Sequence, residues 1–270
     1  MINTIQKFIT NRLKILFKSQ NVITKPKVNE PMTTSQDVLG GVVAYNKYGG
    51  YFTPISSQQR PAVQKILNGD IYEPDTIQFM IDNCGIGDII HAGTFFGDFL
   101  PGISSSLSDN RKIWAFEPNL ENFRCAQITS LINNLKNVEL FNSGLGDVKS
   151  TAKMLVELES GYKLGGASMI LKEAEKGKTI DVEINSIDNI IPDNRLISII
   201  QLDVEGYEKE ALTGALETIR RCKPILILED NNNIIETNWF AENILSIGYE
   251  INQKIHENTL LTVKELHNIV

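Results

Sequence analysis

The segment Asp88-Ile-Ile-His-Ala-Gly-Thr-Phe-Phe-Gly-Asp98 joins an apolar run to a turn that contains two glycines. The run Asp88–Ala92 has the length of a buried strand, and a glycine-rich turn after a strand commonly precedes a helix. Gly93 and Gly97 permit a tight turn and let the backbone approach a ligand closely. The Gly-x-x-x-Gly pattern lacks the third glycine of the dinucleotide-binding fingerprint, so an ordinary strand-to-helix turn is an alternative interpretation.

Short apolar runs alternate with helical stretches over the rest of the chain. The runs predicted as strands are Lys112–Phe116, Val138–Asn142, Ser198–Leu202 and Pro224–Leu228. The predicted helices are Asn119–Asn133, Glu208–Arg220 and Trp239–Ile247. Tyr249–Gln253 and Thr259–Val263 are predicted to form an antiparallel hairpin. This alternation predicts an α/β fold with a doubly wound, mostly parallel sheet covered by helices on both faces.

Two segments interrupt the alternation. Residues 20–50 are rich in proline, glycine and polar residues and are predicted as a linker, followed by helices that begin at Pro61 and Pro74. Residues 148–187 contain glycines and many charges, and we predict an insertion beside the ligand-binding edge that ends in an extended segment around Val182. We therefore divide the chain into residues 1–44, an amphipathic helix and linker, and a domain over residues 45–270.

A carboxylate ends the second predicted strand. Glu117 follows the glycines by about 20 residues, the spacing of the acid that binds ribose in nucleotide-binding α/β folds. Such a carboxylate accepts hydrogen bonds from both ribose hydroxyls and disfavours a 2′-phosphate, which favours S-adenosyl-L-methionine (SAM) or NAD over NADP. The alternative role is to cap the following helix, although Asn119 can supply that cap itself.

Further carboxylates cluster after the fourth and fifth predicted strands. Asp203, Glu205 and Glu208 follow the run Ile-Ile-Gln-Leu, and Glu229 and Asp230 follow the fifth strand. Because parallel strands end at one edge of the sheet, these acids are expected beside the glycine turn. They can orient an acceptor hydroxyl, take its proton or bind an amino group. A divalent metal site is another use of the same acids, and Glu208 can instead begin a helix.

Taken together, these segments resemble the FkbM family of methyltransferases over about residues 45–265. The matching segments are His91–Pro101, Ala115–Pro118, Leu202–Glu208 and Pro224–Glu229. The first segment resembles the SAM-binding first motif of the family, and the second resembles its ribose-binding second motif. The last two segments resemble the most recognisable block of the family. The resemblance implies a Rossmann-like class I methyltransferase fold, SAM as cofactor and methyl transfer to an oxygen, often a hydroxyl of a sugar, a glycolipid or a small metabolite.

The resemblance also implies roles for individual residues. The candidate cofactor-binding residues are His91, Gly93, Thr94, Phe95, Gly97, Asp98, Glu117, Pro118, Asn119, Ser143, Gly144, Leu145 and Asp203. The methionine part of SAM is expected beside the glycine turn, the ribose at Glu117 and the adenine at residues 143–145. The candidate catalytic residues are Asp203, Glu205 and Glu229, of which the first two are expected to face the methyl group and the acceptor.

The first motif departs from the commonest family pattern. His91 stands where the family usually has Asp, so the acid that would contact the amino end of SAM is missing, and Asp98 or Asp203 is expected to replace it. His91 itself is either a proton acceptor or a structural side chain. The lead-in from Tyr48 to Pro74 resembles a subset of the family and is expected to fold over the SAM-binding edge.

Two other classes of protein fit part of this pattern. An NAD-dependent oxidoreductase would use the same glycine turn and Glu117, but the missing third glycine argues against it. A non-enzymatic nucleotide-binding module would leave the acids at 203–208 and 229 without a purpose.

Composition restricts the partners. A net charge of −7 argues against a nucleic-acid-binding surface, and three scattered cysteines suggest neither a disulfide framework nor a zinc site. A reducing, cytoplasmic location and a small-molecule or glycan substrate are expected.

The N-terminal 20 residues have a basic amphipathic pattern. Ile2, Ile5, Ile9, Leu13 and Leu16 recur at helical spacing, with lysines on the opposite face. Such a helix either packs on its own protein or on another subunit of a homo-oligomer, or lies on an anionic membrane surface. We expect packing within the protein or its oligomer.

Overall fold

The computed structural model describes residues 38–108, 110–172 and 175–263. The strands are β1 (Gly41–Asn46), β2 (Gly49–Pro54), β3 (Asp88–Ala92), β4 (Ile113–Phe116), β5 (Val138–Phe141), β6 (Gly144–Leu145), β7 (Ser150–Glu157), β8 (Met169–Ile170), β9 (Lys178–Asn185), β10 (Ile197–Leu202), β11 (Ile225–Glu229), β12 (Tyr249–Ile255) and β13 (Asn258–Val263). The α-helices are α1 (Pro61–Leu67), α2 (Pro74–Asn83), α3 (Leu100–Ser104), α4 (Leu120–Ile132), α5 (Ile187–Ile190), α6 (Glu208–Thr213), α7 (Leu216–Cys222) and α8 (Asn238–Asn243).

A seven-stranded sheet forms the centre of the fold, with the order β12-β13-β11-β10-β3-β4-β5. The five strands from β11 to β5 are parallel, and β13 is antiparallel to both of its neighbours. The prediction of a doubly wound, mostly parallel sheet with a terminal antiparallel hairpin is confirmed. The chain builds the sheet outward from β3 in one direction and from β10 in the other. The carboxyl ends of these two strands therefore form the switch point at which open α/β sheets bind ligands.

Alternation of side chains along the central strands divides the core into two layers. Ile90, Trp114, Ile200 and Leu226 are buried on one face of the sheet. Their neighbours in sequence, Ile89, Ile113, Ile199 and Ile227, are buried on the other face. A side chain of this size contributes roughly 1.5–3 kcal/mol when it is fully buried. Burial on both faces explains why these strands have continuous apolar sequences, and it fixes the strand ends that carry the polar residues.

The hairpin of β1 and β2 lies in the segment that was predicted as a linker, so that prediction is wrong for residues 41–50. The hairpin is attached to α4 by side-chain hydrogen bonds: Asn133 accepts from the backbone N–H of Gly50 (2.9 Å) and Thr129 from that of Phe52 (3.0 Å). A Cβ atom on Gly50 would lie 2.7 Å from the side chain of Ile132. The glycine is therefore required by close packing against the helix. The division of the chain at residue 44 stays a prediction.

The insertion forms a second sheet, with the order β6-β9-β7-β8. The strand of this sheet that comes last in the sequence, β9, contains the alternating segment around Val182, as predicted. The long strand β7 was not predicted. The helix predicted over Glu208–Arg220 is divided into α6 and α7. A Cβ atom on Gly214 would lie 2.0 Å from the carbonyl oxygen of Gly146, so only glycine fits at the residue where the first of these helices ends.

The predicted helix over Trp239–Ile247 is shorter than expected, because α8 ends at Asn243 and a 3₁₀ turn follows. In the described ranges, no helix is long and apolar enough to cross a lipid bilayer. The predicted amphipathic helix of residues 1–20 lies outside the described residues.

Candidate active site

The glycine turn after β3 is pressed against the end of β10. A Cβ atom on Gly93 would lie 1.9 Å from the carbonyl oxygen of Asp203, and Gly93 has a φ of +84°, so only glycine fits. The N–H groups of Gly93 and Thr94 both donate to the carbonyl oxygen of Phe116 at the end of β4. Phe95, although not a glycine, is held at a φ of +51°. The turn is thus fixed between the ends of three neighbouring strands.

Glu117 connects the end of β4 to this turn. One carboxylate oxygen accepts from the N–H of Phe95 (2.8 Å), and the other accepts from the N–H of Asn119 (2.7 Å). The side chain is only 4% exposed, and burial raises its pKa to about 8 against the opposing effect of these hydrogen bonds. Asn119 caps α4 by accepting from the N–H groups of Glu121 and Asn122. Glu117 is therefore not the helix cap.

Two adjoining cavities open at the carboxyl ends of β3 and β10. The first cavity is lined by Arg60, Pro61, Ala62, Tyr72, Glu73, His91, Gly93, Phe95, Asp98, Phe99, Gly166, Gln201, Asp203, Glu205 and Glu229. The second cavity is lined by Ala92, Gly93, Phe116, Glu117, Pro118, Gly144, Leu145, Met154, Gly165, Gly166, Ser168, Ile170, Asp203, Val204 and Glu205. Gly93, Gly166, Asp203 and Glu205 line both cavities, so these residues mark the junction.

Asp203, Glu205 and Glu229 come together at this junction. Burial raises the pKa of Asp203 well above its usual range, and the nearby carboxylates of Glu229 and Glu205 raise it further. A hydrogen bond to Glu229 also favours the protonated form of Asp203. The pKa of Glu205 is raised to about 7 by burial and by Glu229, while Arg60 opposes the shift. The backbone of Glu205 is in the left-handed region, with a φ of +50°.

Two further acids face the first cavity. Asp98 is 7% exposed, and burial raises its pKa to about 7. Glu73, in the lead-in, accepts hydrogen bonds from Thr76 (2.9 Å) and Asn258 (2.8 Å), and burial raises its pKa. Together with the acids of the junction, these groups make the first cavity rich in carboxyl oxygens.

Four of the predicted cofactor-binding residues line neither cavity. Thr94 is buried in the turn, where its hydroxyl donates to the carbonyl oxygen of His91 (3.3 Å). Gly97 packs against Leu100 and Thr129, Asn119 caps α4, and Ser143 is buried behind the second cavity. The hydroxyl of Ser143 has no hydrogen-bond partner among the described residues. The remaining predicted residues line one cavity or both.

The insertion and the lead-in supply walls that the sequence motifs did not assign. The residues concerned are Arg60, Tyr72, Met154, Gly165, Gly166, Ser168 and Ile170, and β10 adds Gln201. A Cβ atom on Gly166 would lie 3.0 Å from the ring of Phe95, so this glycine packs directly on the turn. Gln59 donates to the carbonyl oxygen of Lys163 (3.2 Å), and Asn122 to that of Gly165 (3.3 Å). The Gly165-Gly166 pair was the one sequence signal of this close approach.

The grouping of these acids does not make a metal centre. Within residues 38–108, 110–172 and 175–263, no three His, Cys, Asp or Glu side chains are placed so that they could hold a metal ion.

The sheet order, the glycine turn and the carboxylate at the end of β4 define a Rossmann-like class I methyltransferase domain. Residues 91–259, more than half of the chain, match the family model described as the methyltransferase FkbM domain. The chain belongs to this family, and its cofactor is SAM.

Several solved structures are similar to this chain at low sequence identity. The FkbM methyltransferase from Methylobacillus flagellatus KT is 20% identical, with 65% of this chain and 42% of that chain covered and a TM-score of 0.45. A SAM-dependent methyltransferase from Aquifex aeolicus is 16% identical, with 77% and 94% covered and a TM-score of 0.41. The Pyrococcus abyssi tRNA (uracil-54, C5)-methyltransferase, in complex with S-adenosyl-L-homocysteine, is 12% identical, with 82% and 43% covered and a TM-score of 0.43.

The chain therefore spans 42% of the length of its Methylobacillus relative. No curated protein matches this chain.

Proposed function

We propose that the protein transfers a methyl group from SAM to a hydroxyl oxygen of a sugar, a glycolipid or a small metabolite. The observation that carries this proposal is the position of Glu205, whose side chain lines both cavities where they meet. With its pKa raised to about 7, this carboxyl group suits a general base that works near neutral pH. Its left-handed backbone is a local strain of the kind that clusters at functional sites.

The second cavity fits the adenosine part of SAM. Glu117 lies at its edge and would hold the ribose hydroxyls, while Gly144 and Leu145 would lie beside the adenine. Ser143, whose buried hydroxyl has no hydrogen-bond partner in the part of the chain that the structure describes, precedes them directly in sequence. Phe95 and Asp98 in the first cavity would contact the methionine part. When it is bound, SAM supplies an electrophilic methyl group.

The acids at the junction provide the proton transfer that an unactivated hydroxyl requires. Glu205 takes the proton of the acceptor hydroxyl, because its carboxyl group is the one with a pKa near neutrality at the junction. The raised pKa of Asp203 favours its protonated form, whose single hydrogen is engaged by Glu229, so Asp203 is not assigned as the base. This division of roles refines the prediction that all three acids are catalytic.

The charge of the first cavity restricts the acceptor. Five carboxyl groups line this cavity, and Arg60 is the single Lys or Arg among the lining residues. A phosphate or carboxylate on the acceptor would be repelled by the ionised members of this group. Neutral hydroxylated acceptors are therefore favoured over phosphorylated or acidic ones.

A binding measurement followed by an acceptor screen tests the proposal. Calorimetry with S-adenosyl-L-homocysteine and NAD is expected to show binding of the first alone. Labelled SAM is then offered with neutral glycans, glycolipids and small hydroxylated metabolites, and the linkage of each labelled product is determined by mass spectrometry. Methyl groups found on nitrogen or carbon would overturn the proposed oxygen specificity, and absence of S-adenosyl-L-homocysteine binding would overturn the proposed use of the site.

A further inference from the structure

His91 and Gln201 form a polar pair inside the central sheet. They are register partners on the neighbouring parallel strands β3 and β10. Their side chains are only 2% and 3% exposed, whereas the flanking residues of both strands are apolar. Burial of two polar groups in such a position is costly unless they are hydrogen-bonded.

The contact between them sets the tautomer of the histidine. The Nδ1 atom of His91 is in hydrogen-bond contact with the Oε1 atom of Gln201. With the amide oxygen of Gln201 placed toward the ring, the proton is assigned to Nδ1, because an amide oxygen carries no hydrogen. The ring of Phe99 stacks on the imidazole at 5.2 Å between centroids with 9° between planes, which fixes the orientation of the ring. Burial lowers the pKa of His91 to about 4, so the imidazole is neutral near neutral pH.

The other nitrogen is left with a lone pair and no donor. The Nε2 atom of His91 is buried and has no hydrogen-bond partner among the described residues, although His91 lines the first cavity. A buried acceptor without a donor costs about 1–3 kcal/mol, and such groups in native proteins call for an explanation. An N–H or O–H group of a ligand in the first cavity would supply the missing donor.

We propose that Gln201 is a positioning residue that holds the Nε2 atom of His91 as a neutral acceptor for the α-ammonium group of SAM. The inference rests on the proposed function, in which Glu117 holds the ribose. Glu117 lines the second cavity alone and His91 the first alone, so the part of SAM that passes Gly93 toward His91 is the methionine part. The ammonium is the one hydrogen-bond donor in that part of the cofactor.

A neutral acceptor suits this position better than another carboxylate. Asp98, Glu73 and Asp203 already face the same cavity, and the charge of Glu73 raises the pKa values of both Asp98 and Asp203. One more carboxylate would add repulsion to this group. The imidazole accepts the same hydrogen bond without adding charge.

Nitrogen-15 NMR of the imidazole rings tests the tautomer directly in the full chain. The sequence contains three histidines, and substitution of His256 and His267 by Gln assigns the signals of His91. At pH 7, His91 is expected to be protonated on Nδ1 and unprotonated on Nε2. S-adenosyl-L-homocysteine should shift the Nε2 signal, whereas 5′-methylthioadenosine, which lacks the amino acid part, should leave it in place.

Variants of Gln201 test the positioning role. In Gln201→Met, which cannot accept from Nδ1, the proton is expected to move to Nε2. The affinity for S-adenosyl-L-homocysteine should then fall about tenfold, while that for 5′-methylthioadenosine is kept. Gln201→Glu keeps an acceptor for Nδ1 and should keep the original tautomer.

Several outcomes would overturn the inference. The first is a proton on Nε2 in the unsubstituted protein. The second is an Nε2 signal that does not shift when S-adenosyl-L-homocysteine binds, and the third is an equal shift of this signal with 5′-methylthioadenosine. The tautomer and the ligand comparison need no variant of Gln201, so they decide the question even if Gln201→Met does not fold. If both ligands bind without moving the Nε2 signal, the inference alone fails; if neither binds, the proposed function fails with it.

Discussion

The carboxylate of Glu117 accepts a hydrogen bond from the backbone N–H of Phe95, with 2.8 Å between oxygen and nitrogen. This bond joins the acid at the end of β4 to the glycine turn at the end of β3. The second carboxylate oxygen is held by the N–H of Asn119. The acid is therefore oriented before any ligand arrives, and the turn depends on it for the position of Phe95.

Replacing Glu117 by Ala should weaken the binding of S-adenosyl-L-homocysteine by about 1–3 kcal/mol, because a charged hydrogen-bond partner is removed. Calorimetry at pH 8.5, where the carboxylate of the unsubstituted protein is ionised, gives the comparison. Glu217→Ala removes an exposed acid from α7 and serves as the matched control. Unchanged affinity in a folded Glu117→Ala protein would remove this residue from the ligand site.

Methyl transfer should depend on pH through Glu205. A general base acts in its ionised form, so the rate is expected to rise with pH up to the pKa of about 7 and to level off above it. Glu205→Gln should lower the rate about 100-fold or more, without the rising limb, while binding of S-adenosyl-L-homocysteine is kept. Rates with an acceptor from the screen, measured from pH 5.5 to 8.5, provide the test. A rising limb that persists in Glu205→Gln would assign the base to another group.

The ligand-free protein should lose stability as the pH rises from about 6.5 to 8. Burial raises the pKa values of Asp98 and Glu117 to about 7 and about 8, so the folded protein retains protons that the unfolded chain has already released. Each group changes the free energy of unfolding by up to roughly 1.4 kcal/mol per pH unit below its folded pKa, so Asp98 contributes up to about pH 7 and Glu117 up to about pH 8. The lowered pKa of His91 has the opposite effect, but that effect is largely complete above the ordinary histidine pKa of 6.5. Denaturant titrations of the unsubstituted protein and Glu117→Gln should show a smaller decline in the variant.

Asp88 should matter for stability and not for ligand binding. Its carboxylate, 1% exposed, accepts from the indole N–H of Trp114 (2.8 Å) and the N–H of Lys112 (2.9 Å), and it forms an ion pair with Arg195. Asp88→Ala is expected to destabilise the fold by about 1–3 kcal/mol, since it leaves the buried indole N–H of Trp114 without an acceptor.

The control for Asp88 is Glu139→Ala, which breaks the more exposed ion pair of Lys112 and Glu139 and should cost about 1 kcal/mol or less. Asp88 lies at the opposite end of β3 from the glycine turn, so the affinity of folded Asp88→Ala for S-adenosyl-L-homocysteine should be unchanged. Equal stabilities of the two variants would contradict the structural role of Asp88.

Deletion of residues 1–20 should leave the affinity for S-adenosyl-L-homocysteine unchanged, because the described residues that line the cavities lie between Arg60 and Glu229. Mass in solution and binding to anionic vesicles, measured for the full chain and the deletion, separate the two proposed roles of this segment. A change from dimer to monomer would support packing between subunits, and loss of vesicle binding would support a membrane role. Loss of ligand affinity would contradict the prediction.

The sequence predicted the parts of the fold that one local pattern determines. Asp88–Ala92 was predicted with its observed bounds, because burial on both faces leaves a short, mainly apolar run directly before the glycine turn. The hairpin of β1 and β2 was missed because its glycines, which in sequence resemble a linker, are required by contact with α4. No local sequence pattern distinguishes a glycine in a linker from a glycine that is required by packing.

In the candidate site, too, local sequence patterns predicted some residues and missed others. The acids at the strand ends could be found because each directly follows an apolar run. Gln201 could not, since its importance depends on being the register partner of His91, from which it is separated by 110 positions. Likewise, Gly166 becomes significant only when the insertion folds back onto Phe95.

Arg60, Tyr72 and Glu73 line the first cavity but precede residue 91, where the match to the family begins. The glycine turn and the strand-end acids belong to the matched part of the chain, and this wall does not. A substitution in the wall therefore changes the shape and charge of the first cavity and leaves the sequence of the turn and of the acids intact. Exchange of residues 48–74 between relatives would show whether this segment sets the choice of acceptor.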